Sequence, residues 1–481
     1  MSKEIGITTR KEENFSDWYT QVVLKSQLAD YASVKGAIVV RPYGYVIWEK
    51  IKEFIDKRIK ATGHMNAYFP ALIPEGLLKR ESSHFAGFTP EVFWVTRSGE
   101  KEVGEKLALR PTSETIAYDS YAKWIRSWRD LPLLLNFWNS VFRAEIKSTK
   151  PFMRTTEFLW QEGHTVHATE DDAEKEVMAI LEIYQELIEE LLAIPILTGK
   201  KTDKEKFVGA SHTITLEAMM PDGKALQMGT SHNLGQNFSN PFEIRFVGQD
   251  GQEHFAWQTS WGVSWRLIGG IIMVHGDDKG LLLPPLIAPI QAVLIPIYYN
   301  EKDERRVRDV VEPLAKAMMD SEILLHIDDR TEYTPGWKFN EWELKGVPLR
   351  IELGPRDVEK NQAIIVRRDT GEKIVVSQEE LVTKTQDLLQ IIQRDLLNKA
   401  KAKLETMTKT VRDYDEFKET VKKRGGFLRA CWCNRKECEE AVKNETGADI
   451  RVMPLKTEES FAPCIYCGQQ NTVVAYFASA Y

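Results

Sequence analysis

Two alternating, aromatic-rich runs flank Lys147-Ser148-Thr149-Lys150-Pro151 between Phe137 and Gly163, and they constrain the fold more than any other feature. Side chains in a strand alternate faces with period two, so the runs read as a strand–loop–strand hairpin. Its loop is too long for a tight two-residue turn. Further strand-like runs at 213–217, 225–228 and 243–246 follow with few helices between them. That order predicts a mixed, mainly antiparallel sheet and not a dinucleotide-binding βαβ unit. No glycine-rich phosphate loop of the Walker kind is present, so any nucleotide is held by a different device.

The first run ends in Phe142-Arg143-Ala144-Glu145, and a basic stretch continues to Arg154. An Arg in that place grips a phosphate or carboxylate through two parallel hydrogen bonds, which Lys cannot do. Glu145, two residues on, faces the same side of a strand and would accept from an amino group such as that of adenine. A second Arg, Arg266, stands among glycines and small residues in Gly262-Val263-Ser264-Trp265-Arg266-Leu267-Ile268-Gly269-Gly270 and would hold the far end of a triphosphate. Alone, each Arg is an ordinary surface ion-pair partner. The joint pattern points to a nucleotide site.

Helical spacing predicts an amphipathic helix from near Ser16, with Trp18, Tyr19, Val22 and Val23 on one side. A short buried strand is expected within 36–44, then a helix from Tyr45 to Ala61 stopped near Gly63. A strand-like Ala67-Tyr68-Phe69 runs into Pro70, which cannot donate to a ladder. A long helix carries the stripe Val177, Ile180, Leu181, Tyr184, Leu187, Ile188 and Leu191, stopped by Pro195. Pro284, Pro285 and Pro289 read as a linker. Beyond it the rhythm becomes β-α-β, with a capping box at Ser377-Gln378-Glu379-Glu380 opening a last long helix.

All five cysteines follow residue 430, so they mark one late module and not a secreted disulfide framework. Cys433 and Cys438 form one chelating pair, Cys464 and Cys467 another, which together make a closed four-thiolate Zn²⁺ site of structural type. Cys431, one residue from Cys433, is the spare. With 28% charged residues, no apolar run long enough for a membrane span and no signal-peptide core, a cytoplasmic protein with no membrane partner is expected. The net charge of −7 leaves any RNA to be bound by local patches.

The stretches 36–70, 142–154 and 262–266 resemble the three signature motifs of class II aminoacyl-tRNA synthetases. Arg110-Pro111-Thr112-Ser113-Glu114, Trp160-Gln161-Glu162-Gly163-His164 and Gly229-Thr230-Ser231-His232-Asn233-Leu234-Gly235-Gln236 resemble the prolyl-tRNA synthetases of archaeal/eukaryotic type. Gly346-Val347-Pro348-Leu349-Arg350 and Leu353-Gly354-Pro355-Arg356-Asp357 fit the anticodon-binding domain of the same family. The resemblance covers essentially the whole chain. It implies an α+β and α/β multidomain protein: an antiparallel-sheet catalytic domain at 1–285, an α/β anticodon-binding domain at 286–400 and a zinc-binding α+β module at 401–481.

It also implies ATP- and Mg²⁺-dependent activation of L-proline to prolyl-adenylate, then transfer to the terminal adenosine of the proline tRNA. Carried over, Arg143 would bind the substrate carboxylate and α-phosphate, Glu145 the adenine amino group, and Phe158 would stack on the ring. Arg154 and Arg266 would hold the outer phosphates, with Gln227 and Thr230 completing the nucleotide site. Thr112, Glu114, Trp160, Glu162 and His164 would shape the proline pocket. Pro70 would sit at a homodimer interface, and the Tyr481 carboxylate would point back to the active site. Lys338, Glu343, Arg350 and Arg356 are candidate anticodon contacts, since charged and forked groups read splayed-out bases.

Read without the family, Thr112-Ser113-Glu114 is also a helix start, His164 a satisfied core histidine and Trp160 simple packing. Two rivals remain. A threonyl-type synthetase would need a catalytic zinc held partly by Cys in the synthetic domain, yet no Cys precedes residue 431. A non-catalytic synthetase paralogue should have lost one of Arg143, Glu145, Arg154 and Arg266, and all four stand.

Overall fold

The computed structural model describes residues 6–82, 91–144, 148–423 and 425–481. Among these, eleven strands form one sheet. From one edge it runs Met65–Ala67, Leu133–Phe142, Glu157–His167, Trp257–Ser264, Ala225–Gly235, His212–Met219 and Leu197–Lys200. It continues through Asp449–Pro454, Val473–Ala478, Phe427–Trp432 and Thr408–Thr410. Only the two outermost pairings are parallel. The mainly antiparallel sheet expected from the alternating runs is present, and the hairpin pairs Leu133–Phe142 with Glu157–His167 in continuous register.

The helix Glu170–Glu186 lies on this sheet through Ala173, Val177, Ile180, Leu181, Ile183 and Tyr184, all buried. Thr169 caps its start by accepting from the Asp172 N–H, and three acidic residues in its first turn complement the helix dipole. Burial of each large aliphatic side chain contributes roughly 1.5–3 kcal/mol, which outweighs the moderate propensity of β-branched residues. Arg266–His275 is apolar almost all round, and it is buried almost all round.

A second, five-stranded sheet orders Leu325–Ile327, Ala292–Pro296, Leu349–Leu353, Gln362–Arg367 and Lys373–Ser377. Its first three strands are parallel, as the β-α-β rhythm requires. The bidentate pair of Arg368 with Asp277 (2.6 and 2.8 Å) ties this unit to the segment after the helix Arg266–His275.

Four expectations need correction. The strand within 36–44 is only Ile38–Val40, and Val39 is exposed. The next helix starts at Pro42, not Tyr45, because proline in the first turn needs no N–H and already has helical φ. The Pro-rich stretch is no free linker: Leu281, Leu282, Leu283, Ile287 and Ala288 are buried. Ser377 closes a turn on Glu380 and the helix itself begins at Leu381, running to Thr406 and so across residue 400. The cysteine-bearing unit joins the eleven-stranded sheet edge to edge, where Met453 and Pro454 pair with Lys200 and Gly199.

Candidate active site

The central strands bring most predicted residues to one face. Trp160, Glu162 and His164 alternate along Glu157–His167, opposite Asn139, Phe137 and Leu135 on one side and Ser264, Gly262 and Ser260 on the other. They line a cavity of about 310 Å³ together with Thr112, Glu114, Arg143, Phe158, Gln227, Thr230 and Arg266. A second cavity of about 460 Å³ holds Arg154, Lys150, Lys224 and Tyr481. The two share Arg143, Phe158, Ser264 and Arg266, so they form one continuous cleft. Glu145 lies outside the described residues.

The apolar end of the first cavity depends on a glycine. A Cβ on Gly163 would lie 2.0 Å from the Trp261 ring, so only glycine lets that indole lie flat against the strand. Ser260 Oγ, buried and without a hydrogen-bond partner among the described residues, lines the same space. A buried hydroxyl left without a partner is costly unless something bound satisfies it.

The polar end is a buried acidic pocket. Glu162 receives Asn139 Nδ2 at 2.9 Å and the Ser113 hydroxyl, and sits 2.9 Å from His164 Nε2. Thr112 donates to Glu114. Burial pushes the Glu114 carboxyl above its ordinary value of 4.5, and the charge of Glu162 adds to this. Burial presses Glu162 upward too, but the His164 hydrogen bond and charge, with Ser113 and Asn139, hold it below the usual value. His164 is raised: burial opposes its charge, but Glu114 and Glu162 outweigh that. The result is a hydrogen-bonded Glu162–His164 pair, each favouring the charge of the other, beside the buried Glu114 carboxyl. Helix Glu114–Trp124 does start here, yet Ser113 makes no side-chain cap, because its hydroxyl is spent on Glu162. His164 and Trp160 are therefore parts of this network: the Trp160 indole donates to Asn139, and Phe137 stacks on His164 at 5.2 Å.

The rim of the cleft is cationic. Arg143 lies 5.2 Å from the Phe158 ring and 6.0 Å from Trp160. Arg266 forms no ion pair among the described residues; burial, then the adjacent Arg143 charge, lowers its guanidinium below the ordinary value. Like charges gathered this way favour an anion between them. Tyr481 lies between Lys150 and Lys224 (5.5 and 5.2 Å to its ring) and donates its hydroxyl to Asp222 at 2.6 Å.

The residue reading passed over Lys201, Thr213, His232 and Trp261 as cavity walls. His232 stood inside the Gly229–Gln236 stretch, and Trp261 just before Gly262. Of the four anticodon candidates, Lys338 is a correction: it is 3% exposed, with its ammonium on the Asp328 carbonyl at 3.0 Å, so it braces the fold. Glu343 holds Lys279 at 2.8 Å. Arg350 pairs with Glu352 over the Phe339 ring and lines a small pocket with Glu343. Arg356 is exposed.

In the terminal unit the sulfurs of Cys433, Cys438, Cys464 and Cys467 lie within 4.8 Å of one another. The Cys433–Cys438 and Cys433–Cys467 separations are 3.5 and 3.8 Å. Four thiolates at about 2.3 Å from a tetrahedral zinc would stand about 3.8 Å apart. Cys431 lies outside the cluster and accepts from the Phe461 N–H at 3.4 Å.

Family comparisons follow the same division. The class II tRNA synthetase core domain (G, H, P, S and T) matches residues 93–275, an anticodon binding domain 291–388 and the prolyl-tRNA synthetase C-terminal domain 414–481. A proline–tRNA ligase of Cenarchaeum symbiosum is 56% identical, covering 99% of this chain and 100% of its own. One from Natranaerobius thermophilus is 51% identical over 98% of each, and proline–tRNA ligase 2 of Bacillus cereus 47% over the whole of both. With that identity sustained from end to end, the chain belongs to the proline–tRNA ligase family of class II tRNA synthetases.

Proposed function

We propose that the chain activates L-proline with ATP to prolyl-adenylate and transfers the prolyl group to the 3′-terminal adenosine of the proline tRNA. The observation that carries this is the junction of a buried acidic pocket with a cationic cleft at Arg143. Glu114 accepts from the secondary ammonium of proline, and Trp160 and Trp261 wall its ring. The proline carboxylate then lies toward Arg143 and attacks the α-phosphorus in line. Charge builds on phosphate oxygens, so fixed cations lower the barrier and no protein nucleophile is needed. Arg143 bridges carboxylate and α-phosphate, while Arg154 and Arg266 hold the outer phosphates of ATP, which enters as its magnesium complex. Phe158 faces the adenine, with Gln227, Thr230 and Glu145 assigned to the nucleoside.

The units 1–285, 286–400 and 401–481, the last two joined through the helix Leu381–Thr406, then divide activation, anticodon reading and zinc binding. In the last, Cys433, Cys438, Cys464 and Cys467 hold a structural Zn²⁺. Glu343, Arg350 and Arg356 are the remaining candidates for the anticodon. The four clustered cysteines favour the archaeal/eukaryotic type. The exposed Met65, Tyr68 and Pro70 at the sheet edge suit a homodimer interface, for which sedimentation should give about twice 55.3 kDa.

The test is amino-acid-dependent ATP–pyrophosphate exchange with proline, threonine, alanine and cysteine side by side. Strong exchange with proline is expected; exchange with threonine instead, or with none, would sink the reading. In the same assay, ammonium binding needs ionised Glu114. Because that carboxyl is raised, the proline KM should climb on acidification while the pH is still above 4.5. Glu114→Gln should remove this acid limb.

A further inference from the structure

Where the cysteine-bearing unit joins the catalytic sheet, three charges are buried together. Glu217 is fully enclosed, and the side chains of Lys201 and Arg451 are 4% and 9% exposed. Lys201 Nζ donates to Glu217 Oε1 at 2.7 Å, and the Thr215 hydroxyl to the same oxygen at 2.9 Å. Arg451 reaches both oxygens, with Nη2 at 2.9 and 3.1 Å and Nε at 3.2 Å. The carboxylate is fully satisfied. Burial presses it upward, but Lys201 and Arg451 outweigh this and keep it ionised. Burial lowers the Lys201 ammonium below its ordinary value, and the Glu217 charge works against this.

The backbone is bent to make this cluster. Between His212–Met219 and Ala225–Gly235 the register slips after Leu216, leaving Met228 of the second strand over and setting Glu217 opposite Gln227. On Asp449–Pro454 the register with Val473–Ala478 slips between Ile450 and Val452, and Arg451 is the residue left over. Bulges re-aim side chains: one turns Arg451 onto the carboxylate, and the other sets the pairing of Glu217 with Gln227. The approach also needs Gly199, where a Cβ would meet the Met453 carbonyl oxygen at 2.2 Å. Lys201 in turn lines the cavity that holds Gln227 and Arg266.

We propose that Arg451 is a positioning residue of the activation reaction: through Glu217 it fixes the Lys201 ammonium and the Gln227 strand at the wall of the nucleotide cavity. The terminal unit is thereby part of the active site's foundation. A cluster serving stability alone has little reason to be ionic, since apolar residues of similar volume usually replace buried ion pairs without loss. Lys201 lines the same cavity as Arg143 and Arg266, so an ammonium held there acts on the anionic substrate instead.

The proposal rests on the proline-activation reading, so the experiment carries the unmodified chain as its own arm. Exchange kinetics, zinc content and melting are measured for Arg451→Met, Arg451→Lys and the apolar triple Lys201→Met, Glu217→Met, Arg451→Met. Both Arg451→Met and the folded, zinc-bound triple should lose about tenfold to a hundredfold in kcat/KM for ATP. The proline KM should stay within about twofold, and Arg451→Lys should recover part of the loss. A triple variant at the unmodified rate would show that the cluster only braces the fold and would overturn the proposal. So would equal losses toward ATP and proline. Absence of exchange in the unmodified chain would overturn the activation reading, and this proposal with it.

Discussion

Arg143→Ala is expected to lower proline-dependent ATP–pyrophosphate exchange by about 10²- to 10³-fold, the scale on which one donor to a developing oxyanion contributes. Arg143 is the side chain at which the acidic pocket and the cationic cleft meet. It lies against Phe158 and Trp160 and reaches the Pro111 carbonyl at only 3.5 Å. Thermal melting of the variant is the control that separates lost catalysis from lost fold. Arg143→Lys should rescue only a small part, because a point charge cannot bridge carboxylate and phosphate as a planar fork does. Arg154→Ala offers a contrast. Arg154 is exposed at the rim, so its loss should raise the KM for ATP more than it lowers kcat. Exchange within twofold of the unmodified rate in folded Arg143→Ala would remove this residue from the reaction.

Much of the pocket was legible because its residues obey a local rule. Trp160, Glu162 and His164 are two apart in one strand, so period-two alternation alone puts them on one face. Arg266 was legible from its setting, since glycine and small residues beside a lone cation suggest close approach to a ligand. What stayed hidden depended on distant segments. Ser113 looks like a cap, and only the neighbouring strand shows that its hydroxyl serves Glu162. Lys201, Glu217 and Arg451 sit in unremarkable contexts, and a register slip, which no periodicity encodes, turns Arg451 onto Glu217. The Pro-rich stretch misled for a related reason: proline marks irregular backbone, not exposure, and Leu281 to Leu283 pack into the core.

The second large effect should come from the cysteines. The purified chain is expected to carry one zinc, and Cys438→Ser to lose it, while Cys431→Ser keeps it because its sulfur points to the Phe461 amide. The unit around them has a small core, with Phe417, Leu428, Trp432, Val442, Ile450 and Phe477 its main apolar mass. Cores of that size seldom hold a fold unaided. Zinc at such sites is associated with about 10–16 kcal/mol in isolated peptides, as much as or more than the roughly 5–15 kcal/mol stability of a typical domain. Chelation should therefore melt this unit outright. The damage should not stop there, because Asp449–Pro454 covers the edge of Leu197–Lys200 and delivers Arg451 to Glu217. Exchange should fall together with zinc content, although no cysteine is among the described residues that line the cleft. Metal analysis, thermal melting and exchange on the same samples separate the alternatives. A zinc-free chain that melts and exchanges like the untreated protein would show that the four thiols are only a reduced, buried cluster.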